Sequence, residues 1–333
     1  MSMRARYAVL ALAAAAGSAA LTAVIVRAGT DPPRPADPAP ASHPATQPET
    51  KYPPDALVAA CKQAADRLRG RLDRSFNFAV SPPFVVAGNC PPRRLDQYVQ
   101  GCVVQPAEVM WKSYFEKKPT GVITVLLFAD GPSYRRWAKE LFGDTELPHF
   151  GYCRGDGTTL MDISTGGGTL VHEVTHALIK YDFPGVPDWF NEGLGSLHEQ
   201  CTVGEDRIVG HENWRLPALQ KAIRDGRLRP LRELVTADDF YGPLRGTNYA
   251  HARYFVMYMQ QRGVLEKFYK TLRDGYAQRA EIPACLRQVG RRNAALSSNR
   301  QSMAVSAIEA SLGLPIDEID KSMRKWVMTL KFR

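Results

Sequence analysis

The sequence has no cysteine pair at the CxxC spacing, no internal repeat and no Gly-Lys-Ser/Thr phosphate-loop signature. Without CxxC pairs a cysteine-ligated zinc site is not expected, and the three glycines at 166–168 lack the lysine and hydroxyl that phosphate loops use. It also has no zinc-finger spacing, RNA-binding aromatic signature or helix-turn-helix signal. The net charge of +9 therefore predicts a basic but ordinary surface, with no nucleic-acid partner.

The N-terminus carries the pattern of an export signal. Arg4 and Arg6 precede an uncharged, alanine-rich run at residues 7–26. Because an uncharged run of about 18 residues can span a bilayer, two alternatives stay open for residues 1–28. They are a signal peptide cleaved after Val26-Arg27-Ala28, or an uncleaved anchor that attaches the chain to the membrane. Either alternative places the rest of the chain outside the cytoplasm, in a periplasmic or extracellular location.

An exported chain with an even number of cysteines is expected to form disulfides. The six cysteines are Cys61, Cys90, Cys102, Cys153, Cys201 and Cys285. Two or three bridges are expected among them, and buried free thiols are the alternative. The spacing does not select among the fifteen pairings that six cysteines allow.

The pattern of apolar residues predicts an α+β fold for the remaining chain. Residues 29–54 are rich in proline and poor in large apolar residues, which is typical of an extended spacer, so the folded domain is expected at 55–333. Strand-like segments occur at residues 76–80, 84–87, 122–128, 151–153 and 158–163. From residue 169 onward most of the chain has helical periodicity. We therefore expect a small mixed β-sheet lobe followed by a mainly α-helical lobe.

The chemistry is concentrated in one HExxH motif, His172-Glu173-Val174-Thr175-His176. Residues four apart share one face of a helix, so the two histidines can present their imidazoles to one tetrahedral zinc ion. Glu173 occupies the next position round and can take a proton from water at the metal without binding the metal itself. The alternative is a helix with two uncoordinated histidines. Since the helix is largely apolar, at least one of them would be buried and would need a partner.

A third ligand is available sixteen residues after His176, at Glu192. The short loop FPGVP contains strong helix breakers and can fold a second helix, which starts with PDWFNEG, back beside the first. Two imidazoles and one carboxylate leave the fourth zinc position open for water, as a catalytic site requires. Asp182 is an alternative carboxylate, although it sits too close to the end of the first helix to turn back readily. His198, six positions after Glu192, is expected to point elsewhere.

HEVTHAL followed by PDWFNEG resembles the gluzincin clan of zinc metallopeptidases, and above all the smaller bacterial peptidase-MA-like domains. The resemblance extends loosely over residues 76–333, through an ITVLLF strand, a GYC strand and a tryptophan-containing C-terminal helix. It implies a zincin-like fold, one Zn²⁺ per chain, a peptide or protein substrate, and Glu173 as general base. Glu192 lies nearer to HExxH than the equivalent residue of thermolysin and the large aminopeptidases, so their substrate preferences are not transferred.

The resemblance also implies a downstream tyrosine that stabilises the oxyanion, and Tyr249 matches this position because it begins a predicted helix as part of a Tyr-Ala pair. Its alternative role is that of a packed aromatic side chain. His251 lies about 200° round the same helix, so both residues cannot easily face the metal. Two further functions stay open: a non-catalytic envelope protein that keeps the peptidase fold and binds zinc or peptides, and a structural domain whose histidines bind nothing.

Overall fold

The computed structural model describes residues 24–26, 52–147, 150–154, 156–280 and 303–332. The strands are β1 (Val24–Val26), β2 (Asn77–Ser81), β3 (Phe84–Gly88), β4 (Ile123–Phe128), β5 (Gly151–Cys153), β6 (Thr158–Asp162), β7 (Cys201–Val203) and β8 (Ile208–Gly210). The helices are α1 (Pro54–Arg69), α2 (Pro92–Tyr98), α3 (Gln105–Ser113), α4 (Gly131–Phe142), α5 (Gly168–Asp182), α6 (Asp188–His198), α7 (Leu216–Arg224), α8 (Leu231–Thr236), α9 (Arg245–Gln261), α10 (Leu265–Ala280), α11 (303–312) and α12 (Ile316–Val327). Most of the N-terminal segment at 1–28 and of the spacer at 29–54 lies outside the described residues.

The first lobe is built on a five-stranded mixed sheet with the order β2-β3-β4-β6-β5. The three central strands are parallel, and both edge strands run antiparallel to their neighbours. The central strand β4 is almost entirely apolar because helices cover both faces of the sheet. Its alternating side chains divide accordingly: Leu126 and Phe128 pack toward α4, whereas Val125 and Leu127 join the main core with α3 and α5.

The second lobe is mainly helical and begins with α5. At its centre α6 packs against α9, and Gly193 allows the two helices to approach each other closely. A Cβ at this glycine would lie 2.8 Å from Cγ2 of Val256 and 3.0 Å from the carbonyl oxygen of Ala252. After α6 the strands β7 and β8 pair in antiparallel fashion, and β1, from residues 24–26, adds to β7 as the third strand of this small sheet. The predicted α+β class, with a mixed sheet followed by helices, is confirmed.

Several elements were not expected from the sequence. Between β3 and β4 the chain forms α2 and α3, joined by a π-helical segment at Val99–Val104. The prolines at the start of α2 and α3 interrupt the helical periodicity there, although proline is well tolerated in the first turn of a helix. The strands β1, β7 and β8 have three residues each, too few to show an alternating pattern. None of the described helices is both long and apolar enough to cross a lipid bilayer.

The expectation of disulfides is contradicted at the five described cysteines, all of which are free thiols. They lie on separate elements, and four of the five are buried. Burial raises the pKa of the Cys102 and Cys201 thiols to about 12, so both stay protonated near neutral pH. These cysteines therefore pack as small apolar side chains, the alternative considered above. Cys285 lies outside the described residues.

Candidate metal centre

The two helices predicted to carry the ligands, α5 and α6, lie side by side. The loop between them is a tight turn, in which the Val186 amide donates to the carbonyl oxygen of Phe183 at 3.1 Å. Pro187 precedes α6, and its carbonyl oxygen accepts from the Asn191 amide at 2.9 Å. The breaker-rich loop thus returns α6 against α5, as its composition predicted.

A glycine on α6 allows this close approach. A Cβ at Gly195 would lie 2.9 Å from Cε1 of His176 and 3.1 Å from Nε2 of His172. The backbone of α6 therefore contacts the two imidazole rings directly. Gly195 was not predicted as part of the site, although it lies three residues after Glu192 on the same side of the helix, a spacing that could have indicated its role.

Three ligand atoms converge at this contact. Oε2 of Glu192 lies 3.3 Å from Nε2 of His172 and 3.4 Å from Nε2 of His176, and the two Nε2 atoms are 2.7 Å apart. Ligands held at about 2.0–2.1 Å by a tetrahedral zinc ion lie about 3.3 Å from one another. The two distances from Oε2 of Glu192 fit that geometry, whereas the two imidazole rings would have to move slightly apart. His172, His176 and Glu192 therefore form a group that could hold a metal ion.

The protonation pattern of the group favours a cation at its centre. Nδ1 of His176 lies 3.0 Å from Oδ1 of Asn191, an acceptor, so it is Nδ1 that carries the proton and Nε2 that presents a lone pair. Nδ1 of His172 likewise faces a carboxylate, that of Glu199. Oε2 of Glu192 is buried and receives no hydrogen bond from any described residue. Three acceptor atoms thus face one another, an arrangement that is costly unless a proton or a metal ion lies between them.

The electrostatics of the group point the same way. Burial lowers the pKa of His172, but the carboxylates of Glu192 and Glu199 raise it by more, to about 10. Burial alone would raise the pKa of Glu192, whereas His176 and His172 hold it well below its usual range. The buried carboxylates therefore stabilise positive charge at the histidines.

A second carboxylate, that of Glu199, lies near Nδ1 of His172. Oε1 of Glu199 lies 3.2 Å from Nδ1 of His172, and both side chains are buried. Arg215 binds the same carboxylate from Nη1 to Oε2 at 2.5 Å and from Nη2 to Oε1 at 3.3 Å. Burial raises the pKa of Glu199, but Arg215 and His172 lower it further, to about 2, so the group stays ionised. Such carboxylate–histidine contacts orient metal ligands, a role for Glu199 that was not predicted from the sequence.

A tyrosine that was not predicted from the sequence contacts the carboxylate of Glu192. The hydroxyl of Tyr241 donates to Oε1 of Glu192 at 2.8 Å. Tyr249 is buried, and its ring packs on those of Phe240 and Tyr241 at centroid distances of 5.3 and 6.4 Å. The oxyanion role of Tyr249 stays a prediction. Tyr241 was not predicted because it lies in a loop with no helical or strand pattern.

Glu173 is half-buried on α5, directly after His172. Burial raises the pKa of Tyr241 above its usual range, and the carboxylates of Glu192, Asp188 and Glu173 raise it further. Glu173 is therefore among the acidic groups near enough to Tyr241 to oppose ionisation of its phenol. Its role as general base stays a prediction.

The weaker candidates have other partners. Nδ1 of His198 lies 3.0 Å from Oγ1 of Thr175. Asp182 accepts hydrogen bonds from the amides of Glu116 and Lys117, at 2.8 and 2.7 Å, and from Tyr269 and Arg273. Neither residue belongs to the group that could hold a metal ion.

His251 is fully buried in α9, and neither of its ring nitrogens has a hydrogen-bond partner among the described residues. Burial, with the nearby charges of Arg324 and Arg229, lowers its pKa to about 3. It therefore packs as a neutral ring, and it is not part of the ligand group.

The sequence matches no protein-family model, and no curated protein matches it. The interpretation of the site therefore depends on its own geometry. That geometry assembles two imidazoles and one carboxylate, from two adjacent helices, into a buried candidate metal centre.

Proposed function

We propose that this chain is a zinc-dependent metallopeptidase of the gluzincin type, exported from the cytoplasm and acting on peptides or proteins. The observation that carries the proposal is the convergence of Nε2 of His172, Nε2 of His176 and Oε2 of Glu192, three acceptor atoms within 3.4 Å of one another. Two nitrogens and one carboxylate oxygen are a typical donor set for catalytic zinc, because they leave one coordination position open. The HExxH motif supplies the remaining element, a glutamate beside the first ligand.

A zinc ion held by His172, His176 and Glu192 would supply a Lewis acid and would lower the pKa of a water molecule toward neutrality. Glu173 accepts a proton from that water as the water oxygen forms a bond to the carbonyl carbon of the substrate. Tyr249 donates its hydroxyl proton in a hydrogen bond to the carbonyl oxygen as negative charge develops there, which contributes roughly 3 kcal/mol of transition-state stabilisation. Glu173 then transfers the proton to the amine as the carbon–nitrogen bond breaks.

The remaining side chains of the site orient the ligands. Asn191 holds His176 through Nδ1, and Glu199 holds His172 through Nδ1. Each contact directs the Nε2 lone pair toward the shared centre. Residues 1–28 direct export in this proposal, either as a cleaved signal or as a membrane anchor.

Elemental analysis of the purified full chain tests the metal site first. We expect about one zinc per wild-type chain and loss of that zinc in Glu192→Ala. Glu205→Ala is the matched control, because this glutamate is exposed, and it should keep the metal. Absence of zinc from the wild type after reconstitution would overturn the proposal.

Cleavage of a diverse peptide mixture, followed by mass spectrometry, then tests the reaction. We expect zinc-dependent products that disappear with a chelator. Stoichiometric zinc without cleavage of any peptide would favour the alternative, an envelope protein that keeps the peptidase fold and the metal without catalysis.

A further inference from the structure

Glu192 uses its two carboxylate oxygens for two different partners. Oε1 accepts the hydrogen bond of Tyr241 at 2.8 Å, whereas Oε2 faces both Nε2 atoms at 3.3 and 3.4 Å. The carboxylate is buried, so water does not compete freely for either oxygen. The phenol thus selects which oxygen is left for a metal.

The loop that carries Tyr241 is held on both sides. Phe240 is buried, and its carbonyl oxygen accepts from Nδ2 of Asn248 at 2.8 Å. Asp239 is bound by Arg229 through both carboxylate oxygens, at 2.8 and 2.9 Å, in the two-pronged geometry that fixes orientation best. The Gly242 amide closes the turn by donating to the carbonyl oxygen of Asp239 at 2.8 Å. The contacts of the loop itself therefore hold the phenol in place.

We propose that Tyr241 is a positioning residue that restricts Glu192 to ligation through one oxygen and so keeps a coordination position of the metal open. A carboxylate can bind a metal through one or both oxygens, and binding through both would use the position that a catalytic water needs. A donor on Oε1 opposes this second contact. The inference rests on the proposed metal site, but it does not require that the protein cleaves peptides.

Cobalt(II) substitution in the full chain tests the inference, since the visible absorption of cobalt depends on its coordination number and geometry. We expect wild-type protein to give the stronger absorption of a four-coordinate ion and Tyr241→Phe to give the weaker absorption of a higher coordination number. Tyr258→Phe is the matched control. It loses a phenol hydrogen bond of similar length, 2.9 Å to Oγ of Ser322, away from the site, and should keep the wild-type spectrum.

Competition with a chromophoric chelator gives a second readout. Loss of a partner that orients a ligand typically weakens metal binding by about 10–100-fold, which is the change expected for Tyr241→Phe. Asn248→Ala, which frees the carbonyl oxygen of Phe240, should weaken binding in the same direction by a smaller factor. Thermal melts of the metal-free variants confirm that each one folds.

The inference is overturned if Tyr241→Phe keeps the wild-type cobalt spectrum, whether or not its affinity changes. A wild-type chain that binds neither zinc nor cobalt overturns the inference and the proposed function together. A chain that binds cobalt, changes its spectrum in Tyr241→Phe and cleaves no peptide supports the inference and removes only the peptidase assignment.

Discussion

Gly195 lies against the ring of His176 so closely that a Cβ at this position would be 2.9 Å from Cε1 of the imidazole. The same Cβ would be 3.1 Å from Nε2 of His172, the atom that faces the candidate metal position. The glycine therefore controls how near α6, which carries Glu192, can approach the histidines on α5. The geometry of the candidate metal centre therefore depends on a residue that supplies none of its three candidate ligand atoms.

Gly195→Ala should accordingly weaken metal binding. Moving packed rings to admit a methyl group costs about 1–3 kcal/mol, which corresponds to roughly a 5- to 150-fold change in affinity. Chelator competition measures this change. Gly246→Ala is the matched control on α9, because a Cβ there meets nothing within 4 Å, and it should bind metal as the wild type does. Wild-type affinity in Gly195→Ala would contradict the role of this contact.

Glu173→Gln should separate metal binding from turnover. The amide cannot accept a proton at neutral pH, so we expect the rate to fall by about 10²–10⁴-fold while zinc content stays near one per chain. Parallel measurement of kcat and of zinc by elemental analysis checks both expectations. Full activity in this variant would exclude Glu173 as the general base.

Asp182→Asn should destabilise the fold without removing the metal. The buried carboxylate accepts hydrogen bonds from two backbone amides and from the side chains of Tyr269 and Arg273. The side-chain amide of asparagine would instead turn a donor toward these donors. Breaking a buried ion pair on one side typically costs about 3–5 kcal/mol. Urea denaturation measures the loss, with Asp225→Asn as a control at an exposed ion pair that should change stability little. Loss of zinc from folded Asp182→Asn would instead indicate that Asp182 is a metal ligand.

His251 should make the protein sensitive to acid. Its folded pKa is about 3, below its ordinary value near 6.5, so the unfolded chain takes up a proton that the folded chain does not. Its contribution to stability is present above pH 6.5 and is lost as the pH falls toward 3, with a slope of up to about 1.4 kcal/mol per pH unit.

His251→Leu should reduce this slope between pH 6.5 and 4.5, since leucine does not titrate and leaves no unpaired nitrogen. Denaturation midpoints of the variant and the wild type at pH 7.5, 6 and 5 provide the comparison. Metal-free samples of both proteins remove the separate pH dependence of metal binding. Parallel curves for the two proteins would show that His251 does not cause acid sensitivity.

Local sequence patterns were sufficient for the parts of the site whose partners are close along the chain. His172 and His176 are one helical turn apart, and the breakers that turn α6 back toward them lie in the next few residues, so their convergence with Glu192 could be predicted. The strands of the central sheet were predictable for the same reason. A continuous apolar run such as that of β4 indicates by its composition alone that the strand is covered on both faces.

The disulfides were predicted wrongly because the rule used was compositional. An even cysteine count in an exported chain says nothing about where each thiol lies in the fold. Bridging requires two Cβ atoms within about 4.5 Å of each other, a condition that only the packed structure can meet or fail. Here the helices and strands place the five described cysteines as separate free thiols.

The amino-acid sequence by itself determined the residue types of the candidate metal centre: two imidazoles one helical turn apart, a carboxylate on the next helix, and a glutamate directly after the first histidine. Only the tertiary structure decided what surrounds them. Tyr241 reaches Glu192 from 49 residues away, and Arg215 reaches Glu199 across 16. These contacts depend on how α6 packs between α5 and α9, where many small packing preferences act together and no single segment contains the information.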